Sequence, residues 1–316
     1  MDGSPTRLSD FVGQEHAKYV IGVMVQAARN QGRPAGHILL SGPPGLGKTT
    51  LARIIANELS ASFYELSGPT VTRATLIRTL MGLEGLPVIL IDEIHRIPSE
   101  IVEILYPAMD NFTLVLGFPL GIPGFTLIGT TTEPSQVPPP LRSRFLAEIH
   151  LSFYNEQELA AIVARYARWK GLSLTNDAVM EIARRSRQTP RVARQLVTIV
   201  ADFASSYNIS GSTVIAREMV ASWLDPIVDS AGVSESERRY LIALVTMFGG
   251  GPVGLSTIAA AVGESPNHIA EIVEPFLLRS GLIEVTNRGR RVTPKAFRYI
   301  LPRIRDGKIP EPQTKP

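Results

Sequence analysis

The segment that most restricts the possible folds is Gly42–Thr50, which reads Gly-Pro-Pro-Gly-Leu-Gly-Lys-Thr-Thr. It matches the spacing G-x-x-x-x-G-K-T, with an apolar run at His37–Leu40 before it and an amphipathic stretch after it. A strand, a small-residue loop and a helix in this order let backbone N–H groups surround phosphate oxygens. In such a loop Lys48 is expected to reach the β- and γ-phosphates of a nucleotide, and the Thr49 hydroxyl to hold Mg²⁺.

A second chemical signal is the apolar run Val88–Ile91, which ends in two acidic residues, Asp92 and Glu93. Carboxylates that end a buried strand are unfavourable unless a cation and water meet them there. Asp92 is expected to hold Mg²⁺ through water, and Glu93 to polarise an attacking water as general base. Alone, the pair also fits a solvated strand end. Beside the phosphate loop it predicts ATP hydrolysis, with ATP and Mg²⁺ bound.

Three further polar residues follow predicted elements of the first half of the chain. The run Phe125–Gly129 leads into three threonines, of which Thr132 is predicted to hold the attacking water and Thr131 is the alternative. Arg144 lies past the last predicted strand and is expected to serve a neighbour's site, whereas Arg191 opens a helix and can touch its own γ-phosphate. Arginine suits both roles because its planar guanidinium group stays protonated. Each arginine alone fits a surface ion pair equally well.

Hydrophobic patterning divides the chain into three regions and a tail. Residues 1–151 alternate short apolar runs with amphipathic stretches, which predicts an α/β domain around a parallel sheet. Residues 152–228 have helical periodicity and predict a small helical lid domain. Residues 229–305 predict three helices and a hairpin, a winged helix-turn-helix. Residues 306–316 are Pro-rich and predict a disordered tail.

Basic charge is concentrated at the C-terminal end. Residues 279–316 hold ten Lys and Arg against three Asp and Glu, whereas the whole chain has a net charge of only +3. Three of these arginines, Arg288, Arg290 and Arg291, lie at the tip of the predicted hairpin. We expect them to contact DNA phosphates, in a four-way junction or a plain duplex, although a basic hairpin without a ligand remains the alternative.

Composition excludes several classes of protein. The chain has no cysteine, which rules out disulfides, thiolate metal sites and a cysteine nucleophile. The N-terminal sequence lacks the basic and apolar regions of a secretory signal, and no apolar run is long enough to cross a bilayer. We therefore expect a cytoplasmic protein without a membrane partner.

From Leu8 to about Arg298 the chain resembles the RuvB family of bacterial Holliday-junction branch-migration motors, which are AAA+ ATPases. The resemblance rests on the phosphate loop, the Asp-Glu strand end and more distinctive segments. These segments are Phe11-Val-Gly-Gln, Glu103-Ile-Leu-Tyr-Pro-Ala-Met, Pro140-Leu-Arg-Ser-Arg-Phe, Thr189-Pro-Arg and Phe248-Gly-Gly-Gly-Pro-Val-Gly-Leu.

The resemblance implies a hexameric ring that encircles duplex DNA and works with the junction-binding protein RuvA. It implies that Thr132 is sensor 1, Arg144 an arginine finger acting in trans, and Arg191 sensor 2. It also implies that Arg290 contacts DNA. The remaining residues that it assigns to nucleotide binding are Gly45, Gly47, Thr50, Asp110, Asn111, Phe112 and Tyr154.

The chain also departs from the family. Ser4 occupies the place of an arginine near the nucleotide, and Glu133 replaces an arginine after the sensor threonine. The segment Asp110–Gly124, interrupted by glycines and prolines, is shorter than the family hairpin that docks on RuvA. Pro266 and Val285 replace two winged-helix arginines. These changes leave an alternative open, a RuvB-like nucleotide switch or assembly protein that acts on another partner.

Overall fold

The computed structural model describes residues 3–209 and 213–305, so the predicted tail, 306–316, lies outside the described residues. The strands are β1 Ile38–Ser41, β2 Phe63–Ser67, β3 Val88–Asp92, β4 Thr113–Val115, β5 Pro119–Gly121, β6 Thr126–Thr131, β7 Ala147–His150, β8 Ser173–Leu174, β9 Val214–Ile215, β10 Ile283–Thr286 and β11 Gly289–Val292. The α-helices are α1 Glu15–Gln31, α2 Lys48–Glu58, α3 Arg73–Met81, α4 Ser99–Asn111, α5 Pro139–Arg142, α6 Glu156–Trp169, α7 Asn176–Arg185, α8 Pro190–Ser206, α9 Arg217–Leu224, α10 Glu235–Thr246, α11 Leu255–Val262, α12 Pro266–His268, α13 Glu274–Arg279 and α14 Pro294–Arg305. Short 3₁₀ turns lie at Leu8–Asp10, Ile94–Arg96 and Pro134–Gln136, and a π-helical turn at Ile269–Val273. Within the described ranges, no helix is both long and apolar enough to cross a membrane.

Five parallel strands form the central sheet of the first region, in the order β2-β3-β6-β1-β7. Both faces are covered by helices, which explains the nearly continuous apolar runs. Side chains alternate between the faces: Ile38 and Leu40 pack with α1 and α2, whereas Leu39 packs with α3 and α4. Because the strands are parallel, β1, β3 and β6 end at one edge of the sheet. The phosphate loop, the Asp92-Glu93 pair and the threonines that end with Thr132 all lie at this edge.

Helices α6 to α9 form the predicted helical lid, and its polar centre is Arg185. The Arg185 side chain is 2% exposed and donates hydrogen bonds to Glu181 at 2.7 Å, Asp225 at 2.8 Å and the Val228 carbonyl at 2.7 Å. Burial acts to raise the pKa of Glu181, but hydrogen bonds from Arg185 and Arg217 lower that pKa below its ordinary value. The lid therefore depends on a buried charge network as well as on apolar packing.

The C-terminal region is the predicted winged helix. Helices α10 and α11 precede a third helical segment, 266–279, made by α12, the π-helical turn and α13; the wing is the β10–β11 hairpin. Val253 pairs with the wing, because its N–H and carbonyl exchange hydrogen bonds with the Arg290 backbone at 2.9 and 2.8 Å. Gly289 (φ 125°) lies against the Val253 backbone, where a Cβ would not fit.

The shortened segment Asp110–Gly124 still forms a hairpin. Strands β4 and β5 pair antiparallel, with Leu114 opposite Leu120, and Pro119 stands at the first position of its strand, where a missing N–H is tolerated. Leu114 is buried, whereas Val115 and Phe118 are 51% and 65% exposed. The hairpin therefore presents apolar side chains at its tip.

Candidate active site

The phosphate loop lies between β1 and α2, as predicted. Gly42, Gly45 and Gly47 have φ values of 134°, 81° and 100°, which L side chains rarely adopt. The Lys48 ammonium points back into the loop and donates to the carbonyls of Gly42 at 2.7 Å and Pro43 at 3.0 Å. Loop and ammonium together form a cradle suited to an anion.

A cavity of about 910 Å³ opens above this loop. Among the residues that line it are Gly45, Gly47, Lys48, Thr49, Thr50, Asp92, Glu93 and Arg191. Burial lowers the pKa of Lys48, whereas the charges of Glu93 and Asp92 act to raise it. The cavity thus brings together the predicted phosphate, Mg²⁺ and general-base residues from the ends of β1 and β3 and from the lid.

The Asp92 carboxylate is held by a neighbouring strand. Thr130, near the end of β6, donates its hydroxyl to Asp92 Oδ1 and accepts the Glu93 N–H at 3.2 Å. One threonine thereby fixes both acidic positions. Sequence reasoning missed Thr130. The signal that could have found it is its place in the run of three threonines after the apolar residues of β6.

Glu93 lies directly after β3 with a left-handed backbone (φ 51°). Its Oε2 accepts a hydrogen bond from Thr132 Oγ1 at 3.1 Å. His95 Nδ1 lies 3.3 Å from the same oxygen and is 2.9 Å from Thr131 Oγ1. Thr132 therefore faces Glu93, and the alternative residue, Thr131, orients His95 instead.

His95 is a second residue that sequence reasoning missed. Its side chain is only 3% exposed, and its Nε2 lies 3.6 Å from Glu133 Oε1. The carboxylate of Glu133 thus faces a histidine that contacts Glu93. Glu133, which stands where the family has an arginine, is therefore part of the hydrogen-bonded surroundings of the candidate base.

The lid contacts the phosphate loop through Arg191 and Tyr154. The Arg191 N–H lies 3.3 Å from the Gly45 carbonyl, and a Cβ on Gly45 would stand 3.0 Å from the Arg191 Cβ. Tyr154 is buried and donates its hydroxyl to the Leu46 carbonyl at 3.1 Å; burial raises its pKa well above the ordinary value. Both predicted residues therefore touch the loop.

A small pocket beside Tyr154 continues from the loop toward the N-terminus. Ser4, Arg165 and Arg194 line it together with Tyr154. Arg194 Nη1 donates to Ser4 Oγ at 3.0 Å, and its guanidinium stacks 4.6 Å from the Tyr166 ring centre. Ser4 stands where the family has an arginine near the nucleotide. Arg194 of helix α8 supplies a guanidinium to the same pocket.

The structure does not bring Arg144, Asp110, Asn111 or Phe112 to this cavity. Arg144 pairs with Asp110 at 2.9 Å, donates to the Pro140 carbonyl at 2.6 Å and stacks over Tyr106. The Asp110–Phe112 segment therefore does not line the cavity of its own chain, and its assignment to nucleotide binding stays a prediction. This segment lies at the end of α4, on the same surface as Arg144.

The wing arginines differ in their surroundings. Arg288 is exposed, and Arg291 is 54% exposed beside Glu284. Arg290 instead turns inward: its guanidinium donates to Glu274 at 2.9 and 3.3 Å, and Tyr240 donates to the same carboxylate at 2.7 Å. A buried carboxylate therefore holds Arg290, whereas Arg291 pairs with Glu284 at the surface. Contact of the wing arginines with DNA stays a prediction.

Three family models match the chain in succession. They are the Holliday junction DNA helicase RuvB P-loop domain at residues 4–151, the RuvB AAA lid domain at 154–227 and the RuvB C-terminal winged helix domain at 230–301. The chain belongs to the RuvB family. The RuvB branch migration complex subunit of Parafrankia sp. (strain EAN1pec) is 44% identical over 307 residues, which cover 94% of this chain and 86% of that protein.

Solved RuvB structures have the same fold. The Thermotoga maritima RuvB Holliday junction branch migration motor superimposes with a TM-score of 0.81 at 37% identity, covering 95% of this chain and 99% of that one. A mutant form of the same protein gives 0.82 at 36% identity with equal coverage. The predicted order of P-loop domain, lid and winged helix is confirmed.

Proposed function

We propose that the chain is an ATP-driven DNA motor that moves the branch point of Holliday junctions in recombination and DNA repair, in the bacterial cytoplasm. The observation that carries the proposal is the presence, in one chain, of a P-loop cavity lined by Asp92 and Glu93 and of a RuvB winged helix. ATP hydrolysis at the cavity would supply the energy, and the winged helix would hold the DNA.

The chemistry is assigned to the strand ends. Glu93 accepts a proton from water as the water oxygen attacks the γ-phosphorus, and the bond to the β–γ bridging oxygen breaks to release ADP. Thr132 holds the Glu93 carboxylate at 3.1 Å. A positioned general base contributes roughly 10²–10⁴-fold to such a rate, so Glu93→Gln should bind ATP and hydrolyse it slowly.

The oxygen donors of the cavity fit Mg²⁺. Among the described residues no group of three or more His, Asp or Glu side chains is suited to a metal. A P-loop Mg²⁺ needs fewer protein ligands, because phosphates and water supply the others. The Thr49 hydroxyl and the Asp92 carboxylate both line the cavity and would hold it. Bound there, Mg²⁺ would neutralise charge on the β- and γ-phosphates.

Arg144 is assigned to the site of a neighbouring subunit, in a hexameric ring. Its side chain is 26% exposed and paired with Asp110, outside the cavity of its own chain. If Arg144 acts as an arginine finger in trans, two inactive variants should restore ATP hydrolysis to each other in a mixed ring. Lys48→Ala chains and Arg144→Ala chains, each inactive alone, should regain hydrolysis when mixed, because one supplies the finger and the other an intact site.

DNA is assigned to the wing, through Arg288 and Arg291. A motor that moves along DNA should contact phosphates rather than base edges. A junction-binding partner of the RuvA kind is assigned to the hairpin tip, where Val115 and Phe118 are exposed. Apolar side chains grouped on a projecting hairpin are typical of a protein contact.

The test is the steady-state ATPase rate with four-way-junction DNA, with duplex DNA of equal length and without DNA, each with and without RuvA. The proposal predicts stimulation by DNA and further stimulation by RuvA. An ATPase rate that does not change when DNA is added would contradict the proposed motor function. It would favour the alternative suggested by Glu133 and the short hairpin, a nucleotide switch that acts on another protein.

A further inference from the structure

The turn between α7 and α8, Arg187-Gln188, has an unusual backbone. Both residues have positive φ, 52° and 60°, although neither is glycine. Two consecutive left-handed residues persist only where surrounding contacts hold them. The sensor-2 candidate, Arg191, follows three residues later, so whatever holds this turn also sets where α8 begins.

The winged helix holds the Arg187 side chain. Its guanidinium donates to both oxygens of Glu237 on α10, at 2.9 and 2.7 Å, and stacks 4.5 Å from the Phe276 ring centre on α13. The Glu237 side chain is 2% exposed. A bidentate pair on a buried carboxylate allows one geometry, so Arg187 is fixed to the first helix of the winged helix.

The winged helix also holds the backbone of the turn. Arg279, at the end of α13, donates to the Arg187 carbonyl at 3.2 Å and stacks 4.2 Å from the ring centre of Phe153. Phe153 immediately precedes Tyr154. Two separate helices of the DNA-binding domain therefore contact the same turn of the lid.

On its other side, the turn contacts the nucleotide site. The Gln188 carbonyl accepts the Tyr154 N–H at 3.1 Å, and Tyr154 contacts the phosphate loop through the Leu46 carbonyl. The Arg191 N–H meets the Gly45 carbonyl at 3.3 Å. Hydrogen bonds linked through the Arg187-Gln188 backbone and through Tyr154 thus join the winged helix to the phosphate loop.

We infer that Arg187 is a positioning residue that couples DNA on the winged helix to ATP hydrolysis. Its pair with Glu237 transmits a displacement of the winged helix to the Arg187-Gln188 turn, and hence to Arg191 and Tyr154. Arg187 also lines the edge of the P-loop cavity, but its guanidinium is held by Glu237, so we assign it to positioning and not to contact with the nucleotide or the DNA. The inference rests on the proposed function, since it concerns the stimulation of hydrolysis by DNA.

The experiment compares basal and DNA-stimulated kcat, KM for ATP, affinity for fluorescent junction DNA, and Tm. Arg187→Gln removes the guanidinium group but leaves the Glu237 charge buried without its ion-pair partner. The decisive variant is therefore Arg187→Gln/Glu237→Gln, which removes both charges. A glutamine at position 237 can still accept the Ser234 N–H in the capping box. The matched control is Arg184→Gln, whose exposed pair with Glu156 lies within the lid.

The double variant should keep Tm, basal kcat, KM and DNA affinity, and lose DNA stimulation by at least about fivefold. Arg187→Lys keeps the charge without the fork and should recover part of the stimulation, and Arg184→Gln should keep all of it. Full stimulation in the double variant overturns the inference and leaves the proposed function intact. An unstimulated unmodified chain overturns both.

Discussion

Replacing Arg290 by methionine should destabilise the winged helix by about 3 kcal/mol. Removing one partner of a buried ion pair costs roughly 3–5 kcal/mol, because the other charge stays buried and unpaired. Here the remaining charge is Glu274, whose side chain is 3% exposed. We expect the lower end of that range, since Tyr240 still donates to Glu274 at 2.7 Å and Arg290 is itself 19% exposed.

Hydrogen exchange of the backbone amides in α10 and α13 measures this loss locally. Neither tryptophan, Trp169 nor Trp223, lies in the winged helix, so fluorescence would not report it. The double replacement Arg290→Met/Glu274→Gln removes both charges and should restore most of the protection.

The salt dependence of DNA affinity tests whether Arg290 contacts DNA instead. Each lost phosphate contact lowers the slope of log affinity against log salt by about 0.9. Arg288→Gln should show that loss, and Arg290→Met should keep the slope of the unmodified chain. The reasoning is refuted if Arg290→Met keeps full amide protection and loses about as much slope as Arg288→Gln.

Three further outcomes are expected. Thr132→Val should lower kcat by about tenfold or more at nearly constant KM, because a hydrogen bond to a charged group is worth roughly 1.5–3 kcal/mol; an unchanged kcat would contradict its role beside Glu93. The lowered pKa of Glu181 means that its stabilising contribution is complete above its unfolded pKa, near 4.5, and is lost as pH falls through the folded value. Glu181→Gln should therefore flatten the acid-induced loss of lid stability followed by tryptophan fluorescence, and an unaltered pH profile would argue against the Arg185 network. Phe118→Ser should leave DNA-stimulated hydrolysis intact and abolish the extra stimulation by RuvA; retained stimulation would place that contact elsewhere.

The phosphate loop and the strand ends were predictable because their geometry is local. A glycine pattern between a strand and a helix has one common conformation, and parallel strands end at one edge of the sheet. The choice of Thr132 over Thr131 rested on the resemblance, and the structure places Thr132 beside Glu93 and Thr131 beside His95.

Partners brought together by tertiary packing were not predictable. Basic residues at a hairpin tip suggested that all three arginines contact DNA. The fold instead places Glu274 beside Arg290, although the two residues are 16 positions apart along the chain. Arg144 and Asp110 were assigned separate roles, yet they form one ion pair. The Arg187-Gln188 turn carried no signal, because neither residue type favours a left-handed backbone. Glycines and prolines in Asp110–Gly124 suggested an interrupted segment, whereas they fit a tight hairpin with Pro119 at a strand start.

The left-handed backbone at Glu93 has a consequence for how this chain can evolve. A non-glycine residue in that conformation costs roughly 1–2 kcal/mol, and here two threonines of β6 and its following loop hold it in place. Glycine would relieve that cost, but it would also remove the carboxylate assigned to hydrolysis and the hydrogen bond that this carboxylate accepts from Thr132. Backbone conformation and turnover therefore favour different residues at position 93, because glycine suits the left-handed backbone whereas hydrolysis requires the carboxylate.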